Sequence, residues 1–235
     1  MTQPVTQTLI QPVILTTPAR RGDEAAALAA AFAAHPAFAR PMVHRDDGRD
    51  GAAVATRNAI SRAAASGGHV LFLEDDVLAD AEAPELVSRV AFPERVGVIS
   101  FCDMREVPEY APRGLYERSA LGSDGRGWWG NQALLIHRGC AAMSGREDWF
   151  SARIESSRGI RTHVAAYGDG GRNCSDIRFS LLVHLHGGDR SLYAVHVPSL
   201  FKHVGHDSAC FPGRTMGERE TRNWIADRRR FGVDR

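Results

Sequence analysis

Lysine is nearly absent from this chain: Lys202 is the only one, so 28 of the 29 basic residues are arginines. A net charge of +1 leaves no global field to draw in nucleic acid or anionic lipid, and any basic site must be local. Cysteine is scarce as well. Cys102, Cys140, Cys174 and Cys210 are scattered and none has CxxC spacing, which argues against a zinc knuckle or a dithiol redox site. Four cysteines in a chain of this length do not make a disulfide scaffold, and a reducing compartment fits. No apolar run approaches the roughly 20 residues of a membrane span. The opening "MTQPVTQTLIQP" lacks the basic start and apolar run of a signal peptide. These absences predict a soluble, cytoplasmic protein. With 43% hydrophobic and 24% charged residues, 235 residues suffice for one large α/β domain.

The apolar runs alternate with helix-forming stretches. "PVILTT" (12–17), "RPMVHRDD" (40–47), "HVLFLEDDV" (69–77) and "VGVISFC" (96–102) read as strands. "RGDEAAALAAAFAAH" (21–35), "GAAVATRNAISRAAASGG" (51–68) and "APELVSRVAF" (83–92) read as helices. This order predicts an open parallel sheet with helices on both faces, whose ligand lies beyond the carboxyl ends of the strands. Thr16–Thr17, Asp46–Asp47 and Glu74–Asp76 all fall at those ends. Residues 105–127 read as a long loop or short hairpin, 128–138 as an aromatic entry into a strand, and 171–187 as a loop and a helix. Residues 192–205 hold a strand and a loop, and 215–232 read as an arginine-rich helix.

The run from an apolar strand into Glu74, Asp75 and Asp76 needs a reason, because adjacent carboxylates repel and burying one unpaired is costly. A helix N-terminus, a metal ion and plain exposure all satisfy the requirement. In an extended segment Glu74 and Asp76 share one side and Asp75 takes the other. Hard divalent cations bind through one or two carboxylates plus substrate phosphates, so the triplet is a candidate site for manganese or magnesium.

The stretch "GAAVATRNAISRAAASGGHVLFLEDDV" resembles nucleotide-sugar-dependent glycosyltransferases of the GT-A fold. It is similar to family 2, with its G…ARN…A…D-D pattern, and to family 25, where a strand ends in LEDD. Gly51, Thr56-Arg57-Asn58, Ala63 and Glu74–Asp76 occupy the matching places. The resemblance implies a Rossmann-like, mostly parallel sheet and a DxD motif in which Asp76, with Glu74 or Asp75, binds Mn2+ or Mg2+. It places Arg57 near the donor diphosphate, Thr16, Pro18 and Arg20 beside the nucleotide, and Asp46 or Asp47 near its base or ribose. In "GWWGNQALLIHR", Trp129, Gly130 and Asn131 would line the donor sugar. Core packing is the competing reading for the tryptophans.

In "CSDIRFSLLVHL" the matching acid, Asp176, would be the general base of an inverting transfer, with Asp169 in reserve; N-capping is its competing role. "VPSLFKHVGHDS" resembles a P-x-L-x-x-H-x-G-x-x-S ending, met by Pro198, Leu200, His203, Gly205 and Ser208. His203 would be the third metal ligand, and Lys202 would meet phosphate. His184 and His186 form an HxH pair outside any family motif and read as structural.

The sequence thus predicts a metal-dependent glycosyltransferase, with 12–102 holding the nucleotide sugar, 103–212 the acceptor and catalysis, and 213–235 a basic helix. A nucleotidyltransferase is one rival, although "TTPARRGDE" is a poor phosphate loop; a catalytically silent nucleotide-binding module is another. The acceptor is a saccharide or a hydroxylated base in DNA. The second option rests on Arg214, Arg219, Arg222, Arg228, Arg229, Arg230 and Arg235 as a phosphate-binding edge.

Overall fold

The computed structural model describes residues 9–16, 22–47, 51–104, 106–122, 125–128, 130–204 and 221–233. Its strands and helices follow the apolar runs closely through the first hundred residues. They are β1 (Ile10–Thr16), α1 (Gly22–Ala33), β2 (Met42–Arg45), α2 (Ala52–Ala64), β3 (His69–Glu74), β4 (Val77–Ala79), α3 (Ala83–Arg89) and β5 (Val96–Ser100). Then come β6 (Gly114–Ser119), β7 (Ala133–Ile136), α4 (Arg138–Ser144), α5 (Ala152–Glu155), α6 (Arg158–Tyr167) and α7 (Ser175–His186). The last elements are β8 (Leu192–Val197), β9 (Phe201–His203) and α8 (Ile225–Arg230).

Seven strands form one sheet in the order β2-β1-β3-β7-β5-β8-β6, and β4 pairs with β9 in a separate ribbon. β1 is parallel to β2 and β3, and β5 is parallel to β8. β7 runs antiparallel between β3 and β5, and β6 runs antiparallel along the edge strand's neighbour β8. The sheet is therefore mixed, with five strands in one direction and β6 and β7 reversed. The mostly parallel sheet expected from the sequence is therefore found, with two reversed strands that the sequence pattern did not single out. The segment 105–127, read as loop or hairpin, supplies β6 as a sheet edge instead.

Alternation along the strands builds two cores, which is why the strands read as continuous apolar runs. Val13, Val70, Phe72, Leu134 and Ile136 face α2, α4, α6 and α7. Ile10, Ile14, Leu71, Leu73 and Leu135 face α1, α3 and α8. Helices thus flank both faces, as expected. No described helix is long and apolar enough to cross a membrane.

The arginine-rich C-terminal stretch differs from its expected form. Residues 214–220 lie outside the described residues, as do 234–235, and among the described residues of this stretch the helix runs from Ile225 to Arg230. Thr221–Trp224 crosses the sheet end as a non-helical segment with a turn at Asn223, φ 56°: Arg222 bridges to Asp103, and Trp224 to Ser199. Helix propensity in this charged stretch loses to burial, since Trp224 and Arg228 are both buried in the fold.

One buried charge organises the second half of the chain. Arg178 of α7 is fully buried; its guanidinium donates to Arg172 O, Trp149 O and Glu155 Oε1, and lies 4.3 Å over the Phe150 ring. It ties α5, the 148–150 turn and the 3-10 turn 168–173 to the first turns of α7. Removing the guanidinium takes the donor from two main-chain carbonyls as well as from Glu155 and leaves a cavity under Phe150, which is costly. Arg178→Ala is expected to destabilise the fold by about 3 kcal/mol, measured by urea denaturation.

At the opposite end of β3, His137 caps α4, with Nδ1 accepting the Gly139 N–H at 3.2 Å. Burial first, then Arg190, His69 and Arg138, push its pKa down from 6.5 to about 4. The unfolded imidazole therefore takes up a proton that the folded one refuses, and stability falls as pH drops from about 6.5 to about 4. His137→Asn, which keeps a cap acceptor, is expected to lessen the fall of melting temperature with pH across that window, while His44, His69 and His196, also lowered by burial, keep part of it. Thermal unfolding of both proteins in a pH series measures it.

Candidate functional site

Five strands bring their carboxyl ends to one edge of the sheet, and reversed β7 brings its amino end there. The acidic triplet sits in the middle of that edge. Glu74 is the last residue of β3, and its N–H donates to Gln132 O at 2.9 Å. Asp75 N–H donates to Leu15 O at 3.1 Å, extending the β1–β3 register by one residue. Asp75 and Asp76 then form a turn into β4. No helix follows, so the N-cap reading of the triplet fails. The same turn ends the strict alternation that placed Glu74 and Asp76 on one side.

The neighbouring carboxylates are drawn apart. Thr16 Oγ1 donates to Asp75 Oδ2 at 2.6 Å. Asp76 faces the other way, towards β9. Its Oδ2 lies 3.1 Å from His203 Nε2, and its carbonyl accepts the Val204 N–H at 2.8 Å. The β4–β9 ribbon explains this meeting, since Val77 pairs with His203. Within β9, Phe201 and His203 take one face and Lys202 takes the other, paired with Leu78. Lys202 therefore does not share the direction of His203 along β9.

Asp76 and His203 could hold a cation together. Two adjacent ligands of an octahedral ion with bonds of about 2.1 Å lie about 3.0 Å apart, close to the separation found. Among the described residues no group of three or more His, Cys, Asp or Glu side chains is arranged to hold a metal ion. Glu74 therefore does not complete a three-ligand set with this pair. The donor set fits a cation whose remaining positions are filled by phosphate and water.

His203 is braced by a segment the sequence did not point to. Its N–H donates to Thr221 Oγ1 at 2.9 Å, and Thr221 Oγ1 lies 3.4 Å from Cys102 Sγ. Burial pushes the Cys102 thiol up to about 12, so it stays a neutral neighbour. Ser199 N–H donates to Asn223 O, and Arg222 N–H to Asp103 O, which fixes the strap to the ends of β8 and β5.

The second arm of the site is Asp176. It stands in the first turn of α7, where its Oδ1 accepts the Ile177 N–H at 2.9 Å. Its Oδ2 accepts the Gly130 N–H at 3.1 Å. The carboxylate thus serves the helix end and also reaches the segment leading into β7. Gly130 has φ 88°, a left-handed conformation suited to glycine, and a Cβ there would land on Gln132 Oε1. Asn131 Oδ1 accepts the Trp128 Nε1–H at 3.1 Å. Trp128 itself is fully buried, with ring centroids 5.0 Å from Tyr193 and 5.6 Å from Phe179, so it is core. Trp129 lies outside the described residues, as do Pro18 and Arg20.

The remaining candidates separate clearly. Asp46 is anchored at the site edge, where its N–H donates to Thr16 O at 2.8 Å. Arg57 is half-buried on α2, and its guanidinium makes no hydrogen bond or ion pair with a described residue. α2 starts at Gly51, whose φ of 81° and packing on the Asn173 side chain explain a glycine there. Asp169 is fully exposed and lies 3.7 Å from Arg172, which suits surface pairing better than a reserve base. His186 lies 3.4 Å from Glu147, and His184 is exposed, in keeping with structural roles. No protein-family model and no curated protein matches this chain.

Proposed function

We propose that this chain is a metal-dependent glycosyltransferase of the GT-A type, moving a sugar from a nucleotide donor to an acceptor hydroxyl with inversion. One observation carries the reading. The Asp76–His203 pair and the Asp176 carboxylate stand at the same sheet edge, joined through Glu74, Gln132 and Gly130 by two main-chain N–H hydrogen bonds. Separate anchors are what an inverting transfer requires, one for the departing diphosphate and one for the hydroxyl that attacks the opposite face of the same anomeric carbon.

Asp76 and His203 would hold the cation, and the mixed oxygen and nitrogen pair favours manganese over magnesium. When bound, the cation supplies Lewis-acid stabilisation to the departing diphosphate. Arg57 adds a positive charge from α2, at a position left without a partner among the described residues. Thr16 holds Asp75 turned away from Asp76, which keeps one carboxylate out of the cation's shell. Asp176 takes the proton from the acceptor hydroxyl. Each of its oxygens already accepts one N–H and keeps a second lone pair for that hydroxyl.

A saccharide acceptor is favoured over DNA. Arg228 is buried and donates to Ala111 O and Asn223 Oδ1, and Arg229 pairs with Asp80 and Glu82. Arg222 reaches Val107 O, and Arg230 stacks over Phe231. Among the described residues these four arginines are engaged with the protein's own groups, which weakens the case for a phosphate-binding edge; Arg214, Arg219 and Arg235 lie outside the described residues.

Screening nucleotide sugars for manganese-dependent hydrolysis tests the reading as a whole. Asp76→Ala is expected to abolish manganese-dependent binding of a nucleoside diphosphate in calorimetry while the thermal unfolding transition is retained. Unchanged affinity would remove the metal assignment. Asp176→Asn, nearly isosteric at Gly130, is expected to lower turnover by about 10²–10⁴-fold and to leave donor affinity in place. Near-normal turnover would take the base role away from Asp176.

A further inference from the structure

Two buried amides at the sheet edge lack the partners their chemistry demands. Asn131 is 1% exposed and Gln132 is 5% exposed. The indole N–H of Trp128 can only donate, so it fixes Asn131 Oδ1 at its own end of the amide. The Asn131 NH2 is then left buried without an acceptor. Gln132 Oε1 is likewise buried without a donor. Its position is defined from both sides. The Gln132 carbonyl holds the Glu74 N–H, and its side-chain oxygen lies under Gly130, whose own N–H is held by Asp176.

A buried amide atom without a partner costs stability, and an apolar side chain of similar length would avoid that cost. The arrangement makes sense when the missing partner arrives with a ligand. A ligand that meets both needs supplies a donor to Gln132 Oε1 and an acceptor to Asn131 Nδ2. A carboxylate or a diesterified phosphate has no proton to donate near neutral pH, and any anion would meet Glu74, Asp76 and Asp176 along the same edge. A neutral hydroxyl does both.

We propose that Asn131 and Gln132 read the hydroxyl groups of a saccharide, with Gln132 as the residue that discriminates among sugars. The inference rests on the glycosyltransferase reading and goes further in naming the selecting group. The saccharide is either the sugar carried by the donor or the acceptor. A site built around unpaired amides rejects an analogue lacking the matching hydroxyl much more strongly than an apolar pocket does.

The experiment is a cycle between protein and ligand. Full-length wild type and Gln132→Met are titrated, with manganese present, against nucleoside diphosphates, their nucleotide sugars and the corresponding single-deoxy nucleotide sugars. A second arm titrates monosaccharides and deoxy-monosaccharides into protein saturated with manganese and a nucleoside diphosphate. In one arm, removing one particular hydroxyl is expected to weaken wild-type binding about tenfold or more, and Gln132→Met is expected to be indifferent to it. The arm that responds identifies donor sugar or acceptor. Affinity for the nucleoside diphosphate alone stays unchanged in the variant. Without ligand, Gln132→Met is expected to melt at the wild-type temperature or above. A clear fall in melting temperature would assign Gln132 a structural hydrogen bond and overturn the proposal. So would wild-type binding that ignores every hydroxyl, a result that needs no variant. If wild type binds no nucleoside diphosphate and no nucleotide sugar, the glycosyltransferase reading itself falls, which is a distinguishable outcome.

Discussion

The reversal of β7 is the constraint on which the candidate site depends. A strand parallel to β3 and β5 would bring its carboxyl end to the ligand edge, and the segment before it would lie at the far side of the sheet. Running antiparallel, β7 places Gly130, Asn131 and Gln132 beside Glu74 instead. The antiparallel ladder also sets the register, since Leu73 pairs with Ala133 and the next N–H bond joins Glu74 to Gln132. Asp176 meets Gly130 only because that segment stands at this edge.

Charge is arranged by pairing more than by exposure. Three consecutive carboxylates repel, yet each can be tolerated when the chain turns them towards different partners. Asp75 goes to Thr16 and Asp76 to His203. The same economy holds in the other half, where the buried Arg178 finds two carbonyls and Glu155. Arg178 lies two residues from Asp176 in the same helix, so the clamp that stabilises α7 also bears on where the proposed base stands. The strap from Thr221 to Trp224 does for His203 what Arg178 does for Asp176. Both proposed functional side chains are held by neighbours that would never touch a substrate.

Much of this was legible from local pattern. β1, β3 and β5 are apolar runs buried on both faces, and α1 and α2 are alanine-rich stretches with strong helix propensity, so short-range preference and burial agree. Thr16, Asp46, Glu74–Asp76, Asp176 and His203 were visible as polar residues at the ends of such segments or in short motifs. Gln132 and Thr221 were not. A glutamine before an apolar strand carries no signal until its side-chain oxygen is seen buried beneath Gly130. A threonine in a charged tail carries none until its hydroxyl meets His203. The expected long C-terminal helix failed for the opposite reason: composition favoured helix, but Trp224 and Arg228 had buried places to fill.

By itself the sequence determined the α/β alternation, the apolar faces of the strands and helices, and a set of carboxylates at strand ends, because each follows from side-chain chemistry within a few residues. The tertiary structure alone decided strand direction, the pairing of Asp76 with His203 across 127 residues, and the contact of Asp176 with Gly130 across 46. Those depend on which strands become neighbours. That choice is made by the packing of two cores against one sheet, which no local window of sequence contains.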